Sequence, residues 1–297
     1  MIWFGHFLAL AGKLFMDRLT EEASASPIGE DLLLPRAGEN VSLDDFLGGQ
    51  IRLVQPLDGY RVSMDTILLA AAIPARKGDQ VLEPGIGTGG AALALARRVP
   101  GVKVTGLELQ PQMAAFARRN IALNSMQDEV SLIEGDIMTP CDAVPDGAFD
   151  HVMANPPYLT PGTGMRPPSK SKGLAHMDSS ASLKDWLNFC VAKARHKGTV
   201  TVIHRTDMLQ QVIARLHRSV GELTLLPLWP RERVAAKRFI LQGRKGMHGG
   251  MTILPGLALH GVEDRYTRQA EKILRDGEGI KVLTLGSFSL GTKASGG

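Results

Sequence analysis

Residues 81–90 read VLEPGIGTGG, a glycine-rich segment between a strand pattern and a helix pattern. Val81 and Leu82 form a short apolar strand, glycines then recur at close spacing, and a strong helical pattern runs from Ala91 to Val99. Glycines between a strand and a helix let the backbone approach a ligand closely, which is typical of nucleotide-binding α/β sheets. The sequence therefore predicts a ligand over this loop.

Strand and helix patterns alternate along most of the chain. Strands are predicted at 51–55, 102–109, 130–133, 149–154, 199–204, 222–226 and 238–242. Helices are predicted at 66–73, 112–124, 182–196, 207–218 and 266–274. Alternation at this spacing predicts a parallel α/β sheet with helices on both faces and right-handed crossovers.

Acidic residues follow three successive strands of this prediction. Glu83 precedes the glycines, where a carboxylate would repel a pyrophosphate and favour a cationic ligand. S-adenosylmethionine carries a sulfonium and an ammonium group and no phosphate. Glu108 is placed to accept both ribose hydroxyls, and Asp136 the adenine amino group. The predicted cofactor-binding residues are Asp65, Glu83, Gly85, Gly87, Gly89, Glu108, Asp136 and Asn155. Asp65 has a second interpretation, as a cap of the helix at 66–73.

The motif Asn155-Pro156-Pro157-Tyr158 ends the strand at 149–154. Neither proline can donate to a sheet ladder, so the strand stops in a stiff turn. The turn presents a carboxamide, backbone carbonyls and an aromatic ring, a combination suited to a planar amine. We predict that Asn155 and Pro156 accept the amine hydrogens and that Tyr158 stacks on the ring. The alternative is a proline-rich turn in which Tyr158 fills a gap.

These motifs together resemble the class I S-adenosylmethionine-dependent methyltransferases that act on planar nitrogens of adenine, guanine or glutamine. Over about 47–246 and near 266–274 the chain is most similar to the bacterial tRNA1(Val) adenine-37 N6-methyltransferase family. The matching segments are 60–69 (YRVSMDTILL), 83–89, 154–158 and 238–246. The resemblance implies a Rossmann-like, seven-stranded, mostly parallel sheet with the last strand antiparallel. It also implies S-adenosylmethionine as cofactor and N6 methylation of a tRNA adenine.

Basic residues cluster in two segments that fit a nearby RNA backbone. The predicted RNA-binding residues are Arg166, Lys170 and Lys172 after the motif, and Arg231, Arg233, Lys237, Arg238, Arg244 and Lys245 further on. A net charge of +4 and a pI of about 9.1 permit a polyanionic partner. The alternative is a solvated basic surface.

Other functions stay open at this point. A glutamine N5-methyltransferase acting on a release factor would use the same four-residue motif, as would an rRNA guanine-N2 methyltransferase. The first usually has a larger helical N-terminal domain, and the second a duplicated domain, neither of which is visible. A non-catalytic binding module and an NAD-dependent enzyme are disfavoured by the intact motif and by Glu83, respectively.

Length and composition set the remaining expectations. With 297 residues, of which 44% are apolar, the chain suits a globular protein. Cys141 and Cys190 have no metal-site spacing, so we expect no metal and a reducing, cytoplasmic location. We predict a lead-in at 1–46, a methyltransferase domain at 47–250 and a C-terminal extension at 251–297 with one helix and a flexible tail. Residues 1–15 are apolar but too short to span a membrane, and are either a short helix or precede the true start at Met16.

Overall fold

The computed structural model describes residues 33–59, 61–158, 181–261, 263 and 265–284. The chain divides into two compact units, Met1–Leu34 and Pro35–Gly297, and the second holds the fold described below. The predictions for residues 1–15, for the tail after 284 and for the basic residues Arg166, Lys170 and Lys172 lie outside the described residues. The domain boundaries at 46/47 and 250/251 stay predictions; the second unit includes residues 35–46 of the predicted lead-in and the predicted C-terminal extension.

The strands in this part of the chain follow the predicted order with additions. They are β1 (Val41–Phe46), β2 (Ile51–Pro56), β3 (Gln80–Pro84), β4 (Lys103–Glu108), β5 (Val130–Glu134), β6 (Phe149–Ala154), β7 (Ala194–Arg205), β8 (Val220–Arg231), β9 (Arg238–Lys245), β10 (Thr252–Ile253) and β11 (Leu257–His260). The helices are α1 (Met64–Ala72), α2 (Gly90–Arg98), α3 (Pro111–Leu123), α4 (Leu183–Lys193), α5 (Leu209–Leu216), α6 (Arg268–Leu274) and α7 (Lys281–Thr284).

The main sheet confirms the predicted α/β architecture. Its described strands run in the order β10-β8-β9-β7-β6-β3-β4-β5, and β11 also pairs with β8. Strands β3 to β7 are parallel, whereas β9 is antiparallel to both β7 and β8. Seven long strands, the last of them antiparallel, therefore match the expectation. The described sheet has nine strands rather than seven, because the short strands β10 and β11 both add to β8.

Residues along each central strand alternate between two apolar clusters. In β3, Val81 belongs to one cluster and Leu82 to the other, and in β4 Val104 and Leu107 are divided in the same way. The first cluster includes residues of α1, α2 and α6, and the second includes residues of α4 and α5. Successive side chains of a strand point to opposite faces. The sheet is therefore covered by helices on both faces, as predicted.

A two-stranded hairpin stands apart from the main sheet. Strand β1 was predicted as part of an irregular lead-in, because its two consecutive aspartates obscure the strand alternation, but it pairs antiparallel with β2. Helix α3 holds the hairpin through Asn120, whose Oδ1 accepts from Val54 N–H at 2.7 Å and whose Nδ2 donates to Val54 O at 3.0 Å. Asn124, one helical turn later, pairs with the backbone of Arg52 in the same way. The two asparagine side chains thus supply hydrogen-bond partners for backbone groups along β2.

Candidate active site

A cavity of about 450 Å³ lies at the carboxyl ends of β3, β4, β5 and β6. This is the crevice where open α/β sheets bind ligands, and the volume is in the usual range for small-molecule sites. The predicted residues that line it are Asp65, Gly85, Gly87, Glu108, Asp136, Asn155, Pro156 and Tyr158. Glu83 and Gly89 are not among the lining residues.

The glycine loop is held close to β4. The N–H of Gly85 donates to the carbonyl of Leu107 at 2.7 Å, and the N–H of Gly87 donates to the Glu108 carboxylate at 2.8 Å. Gly85 has φ +67°, and a Cβ there would lie 2.6 Å from the indole of Trp186. Gly89, with φ +93°, is the residue that precedes α2. It takes the left-handed conformation at the start of the helix, and its contact with the cofactor stays a prediction.

Glu108 presents its carboxylate at the cavity wall. Oε1 accepts from the N–H of Gln110 at 2.9 Å, and Oε2 accepts from that of Gly87. Burial raises the pKa of this carboxyl, although the backbone donors oppose the shift. Asp136 follows β5, and its Oδ1 accepts from the N–H of Met138 at 2.9 Å. Both acids retain acceptor capacity toward the cavity, since a carboxylate has about four lone-pair sites.

Glu83 is fully enclosed below the glycine loop. One side of its carboxylate meets the N–H of Ala92 in the first turn of α2, and Oε2 has no hydrogen-bond partner. Burial, and secondarily the nearby Glu108, raise the pKa of Glu83 well above its usual value. An unpaired buried carboxylate is costly, and a cation bound nearby would offset that cost.

The Asn155 carboxamide is available for a ligand. It lies at the cavity edge, directly after β6, and within the described residues it makes no hydrogen bond. Pro156 is buried beside it and has no N–H of its own. Asn155 and Pro156 therefore both line the cavity, and within the described residues no donor competes for the Asn155 amide oxygen.

Tyr158 has partners that the sequence did not indicate. Its hydroxyl donates to Asp65 Oδ2 at 2.8 Å, and the Arg238 guanidinium carbon lies 5.1 Å from its ring centroid. Arg238 Nε donates to the same Asp65 oxygen at 2.9 Å. Ser63 precedes α1 and makes no side-chain cap. Asp65 is thus an anchor for Tyr158 and Arg238 rather than the cap of α1. It also lines the cavity, and its contact with the cofactor stays a prediction.

The predicted basic cluster is split by the fold. Arg231 ends β8, and Arg233 and Lys237 lie in the connection from β8 to β9, at the edge that carries the cavity. The opposite end of β9 carries Arg244, which pairs with Glu222 at 3.2 Å, and Lys245.

The lysine at that far end has a structural role. Lys245 Nζ donates to the carbonyls of Ala192 and Ala194 at 3.0 and 2.7 Å, at the end of α4. Cationic side chains commonly satisfy the last carbonyls of a helix in this way. Arg244 and Lys245 therefore lie at the end of β9 away from the cavity, and their contact with RNA stays a prediction.

Three cavity or near-cavity residues escaped the sequence analysis. Trp186, in the first turn of α4, lines the cavity, and its indole N–H has no partner. Arg61 also lines the cavity, while its guanidinium is held by Asp44 Oδ2 at 2.6 Å and by Ser42 Oγ at 2.9 Å. His204 packs edge-on against Tyr158, and burial lowers its pKa to about 4. The segment YRVSMD contains Arg61 and could have indicated it, whereas the other two carried no local signal.

These groups fit S-adenosylmethionine better than a dinucleotide. The cavity offers carboxylates for hydroxyls and an amine, and a buried unpaired acid lies below the glycine loop.

In the described part of the chain, no group of three His, Cys, Asp or Glu side chains is arranged to hold a metal ion. No helix there is long and apolar enough to cross a membrane. Both cysteines are free thiols.

Comparison with known proteins agrees with this site. A family model described as a methyltransferase domain matches residues 81–163, from β3 through the Asn-Pro-Pro-Tyr turn. The tRNA1(Val) (adenine(37)-N6)-methyltransferase of Aeromonas hydrophila is 32% identical over 154 residues, covering 52% of this chain and 63% of that protein. The enzyme of the same name from Shewanella amazonensis is 28% identical over 224 residues, covering 73% and 91%. The match thus spans less than two thirds of the first relative and most of the second.

Solved structures share the fold. A predicted O-methyltransferase from Agrobacterium tumefaciens has a TM-score of 0.59 at 24% identity and covers 72% of this chain and 97% of its own. The structure of M. jannaschii TYW2 in complex with AdoMet has a TM-score of 0.50 at 14% identity, covering 71% and 88%. The chain thus contains a matching methyltransferase domain, shares the fold of these solved structures, and is similar in sequence to the bacterial tRNA1(Val) adenine-37 N6-methyltransferases.

Proposed function

We propose that this enzyme methylates N6 of an adenine in tRNA, adenine 37 of the anticodon loop by analogy with its relatives. The observation that carries the proposal is the free Asn155 carboxamide at the cavity edge, next to Pro156 and Tyr158. The relatives named tRNA1(Val) (adenine(37)-N6)-methyltransferase support adenine as the target base and tRNA as the substrate.

The exocyclic amine of adenine is a weak nucleophile because its lone pair is delocalised into the ring. Asn155 Oδ1 and the Pro156 carbonyl would accept its two hydrogens and favour a nitrogen whose lone pair points into the cavity. Positive charge develops on that nitrogen during transfer, so both hydrogen bonds strengthen in the transition state. Tyr158 would stack on the base. Orientation of the reacting atoms can contribute roughly 7–11 kcal/mol.

The cofactor residues form the opposite wall. S-adenosylmethionine, when bound, supplies the electrophilic methyl group. Glu108 would accept from the ribose hydroxyls, and Asp136 from the adenine amino group. Gly85 and Gly87 allow close backbone approach. Glu83, ionised when the cationic cofactor is bound, would provide negative charge beneath the sulfonium and ammonium side. The role of Asn155 toward the cofactor stays part of this proposal.

We propose that the RNA backbone binds at the β8–β9 connection. Arg231, Arg233 and Lys237 are exposed at the cavity edge, whereas Arg244 and Lys245 are not included because they lie at the far edge. Arg166, Lys170 and Lys172 stay predictions. A loop adenine is already unpaired, so no duplex has to be opened. We place the enzyme in the cytoplasm, where tRNA is its partner.

The decisive experiment transfers labelled methyl from S-adenosylmethionine to total tRNA, total rRNA and release factor, with Asn155→Ala beside the wild type. Label recovered as N6-methyladenosine in tRNA, and lost in the variant while cofactor binding persists, supports the proposal. Label in release factor, in rRNA guanine, or equally in the variant overturns it.

A second experiment tests the RNA surface. Replacing Arg233 and Lys237 together by alanine should weaken tRNA binding and flatten its salt dependence by a slope of about 1–2, because each phosphate contact contributes about 0.9. Arg244→Ala is the matched control and should bind as the wild type does. Equal effects of the two sets would contradict the assignment.

A further inference from the structure

Tyr158 is held on three sides by residues from three separate elements. Asp65 at the start of α1 accepts a hydrogen bond from its hydroxyl, and Arg238 at the start of β9 covers one ring face. His204, near the end of β7, packs against the ring at an interplanar angle of 73°, with ring centroids 4.9 Å apart. Nothing in the glycine loop or in the Asn-Pro-Pro-Tyr motif supplies these contacts.

The two charged side chains around Tyr158 are paired with each other. Arg238 and Asp65 form an ion pair at 2.9 Å, with side chains 33% and 16% exposed. Burial alone would lower the pKa of Arg238, but the bond with Asp65 raises it overall. Burial and Asp65 raise the pKa of Tyr158, so its hydroxyl stays a donor. His204, with its lowered pKa, is neutral and packs without a competing charge.

We propose that Asp65 and Arg238 act as a clamp that positions Tyr158 before the substrate arrives, leaving the ring face opposite Arg238 for the target base. The inference rests on the proposed stacking of Tyr158 on adenine. A guanidinium over a ring face is attracted to it by cation–π interaction. Because the ring is already fixed, no conformational entropy of Tyr158 is lost when the base binds. Preorganisation of this kind raises the rate of methyl transfer and leaves the affinity for the cofactor unchanged.

The kinetic test uses single-turnover methyl transfer with saturating cofactor and tRNA. Arg238→Ala should lower the rate constant by about 10- to 100-fold, because misplacement of a reacting group by about 1 Å can cost that much. The dissociation constant for S-adenosylmethionine should change less than twofold. Arg238→Lys should recover part of the rate, since it keeps the charge over the ring but lacks the planar Nε–H donor.

Arg244→Ala is the matched control. It removes a guanidinium from the same strand, also paired to a carboxylate, at the end away from the cavity. It should transfer methyl at the wild-type rate. Asp65→Ala and Tyr158→Phe should each slow transfer, and their effects should be less than additive in the double variant, because both remove the Asp65–Tyr158 hydrogen bond. Full additivity, or an unchanged rate in Arg238→Ala, would overturn the clamp.

A substrate-free measurement separates this inference from the proposed function. The chain has three tyrosines, so ring-¹³C-tyrosine NMR can resolve Tyr158 once Tyr158→Phe has assigned its signal. The signal should show slow ring flipping in the wild type and in Arg244→Ala, and fast flipping in Arg238→Ala. This result together with no methyl transfer to adenine would refute the function and leave the clamp intact. Fast flipping in the wild type would refute the clamp.

Discussion

Glu108 and Gly87 are joined by a 2.8 Å hydrogen bond from the backbone N–H of the glycine to Oε2 of the carboxylate. The other oxygen of Glu108 accepts from Gln110 N–H. The acid proposed to bind the ribose therefore also fixes the glycine loop against the end of β4. Cofactor recognition and loop geometry depend on one side chain.

Glu108→Gln should weaken S-adenosylmethionine binding by roughly 5- to 150-fold. A glutamine amide has one acceptor oxygen, so one of the two backbone N–H groups would face an NH₂ group and lose its partner. A buried donor left unsatisfied costs about 1–3 kcal/mol. Calorimetric titration measures the change. Glu134→Gln, at the exposed end of β5, is the control and should bind normally; equal affinities in all three proteins would contradict the proposed role.

Glu83→Gln should stabilise the ligand-free protein at neutral pH. Burial raises the pKa of Glu83 in the folded state, so the ionised form destabilises the fold as pH rises above the ordinary value of 4.5. The variant should therefore melt at a higher temperature at pH 7, and the difference should disappear below about pH 4.5. For a chain of this size each 1 kcal/mol corresponds to about 2–4 °C.

The same Glu83 substitution should reduce the stabilisation that added S-adenosylmethionine provides. The negative charge beneath the cationic cofactor is lost, so the increase in melting temperature on saturation should be smaller than in the wild type. A variant that melts lower than the wild type at pH 7, or that gains as much from the cofactor, would refute the counter-charge role.

Gly85→Ala should be more destabilising than Gly147→Ala. Both glycines have nearly the same φ, +67° and +68°, so both variants pay about 1–2 kcal/mol for left-handed backbone. At Gly147 nothing lies within 4 Å of the new Cβ, whereas at Gly85 it meets Trp186 at 2.6 Å. Overpacking adds about 1–3 kcal/mol. Urea unfolding should show this difference, and similar losses at the two sites would contradict it.

Asn120→Ala should lower the free energy of unfolding by about 2–4 kcal/mol. The side chain is fully buried and bonds the N–H and C=O of Val54 and the carbonyl of Thr88, which would all lose a partner. Asn124→Ala is the comparison, because its site is only half-buried and water can replace the amide. Urea unfolding of both variants decides the matter; an Asn120 variant no less stable than the Asn124 variant would refute this account of the hairpin.

The sheet and the edge that carries the site could be predicted from local signals along the chain. The strand and helix periods around the glycine loop, and the two prolines that end β6, are local signals that tertiary packing did not override. Because the carboxyl ends of parallel strands meet at one edge, Glu108, Asp136 and Asn155 were certain to meet once the strands were parallel. The short strands β10 and β11, with two and four residues, carried too little periodicity to be recognised.

The contacts of Tyr158 and the placement of the basic residues could be read only from the tertiary structure, for geometric reasons. Asp65, Tyr158 and Arg238 lie in separate elements, and no spacing along the chain relates them. The basic stretch from 231 to 245 looked continuous, but an eight-residue antiparallel strand runs through it. At about 3.3 Å per residue that strand carries Arg238 and Lys245 roughly 23 Å apart, to opposite edges of the sheet. The number of charged residues can be read from the sequence, whereas the edge of the sheet on which each of them lies depends on strand direction and pairing.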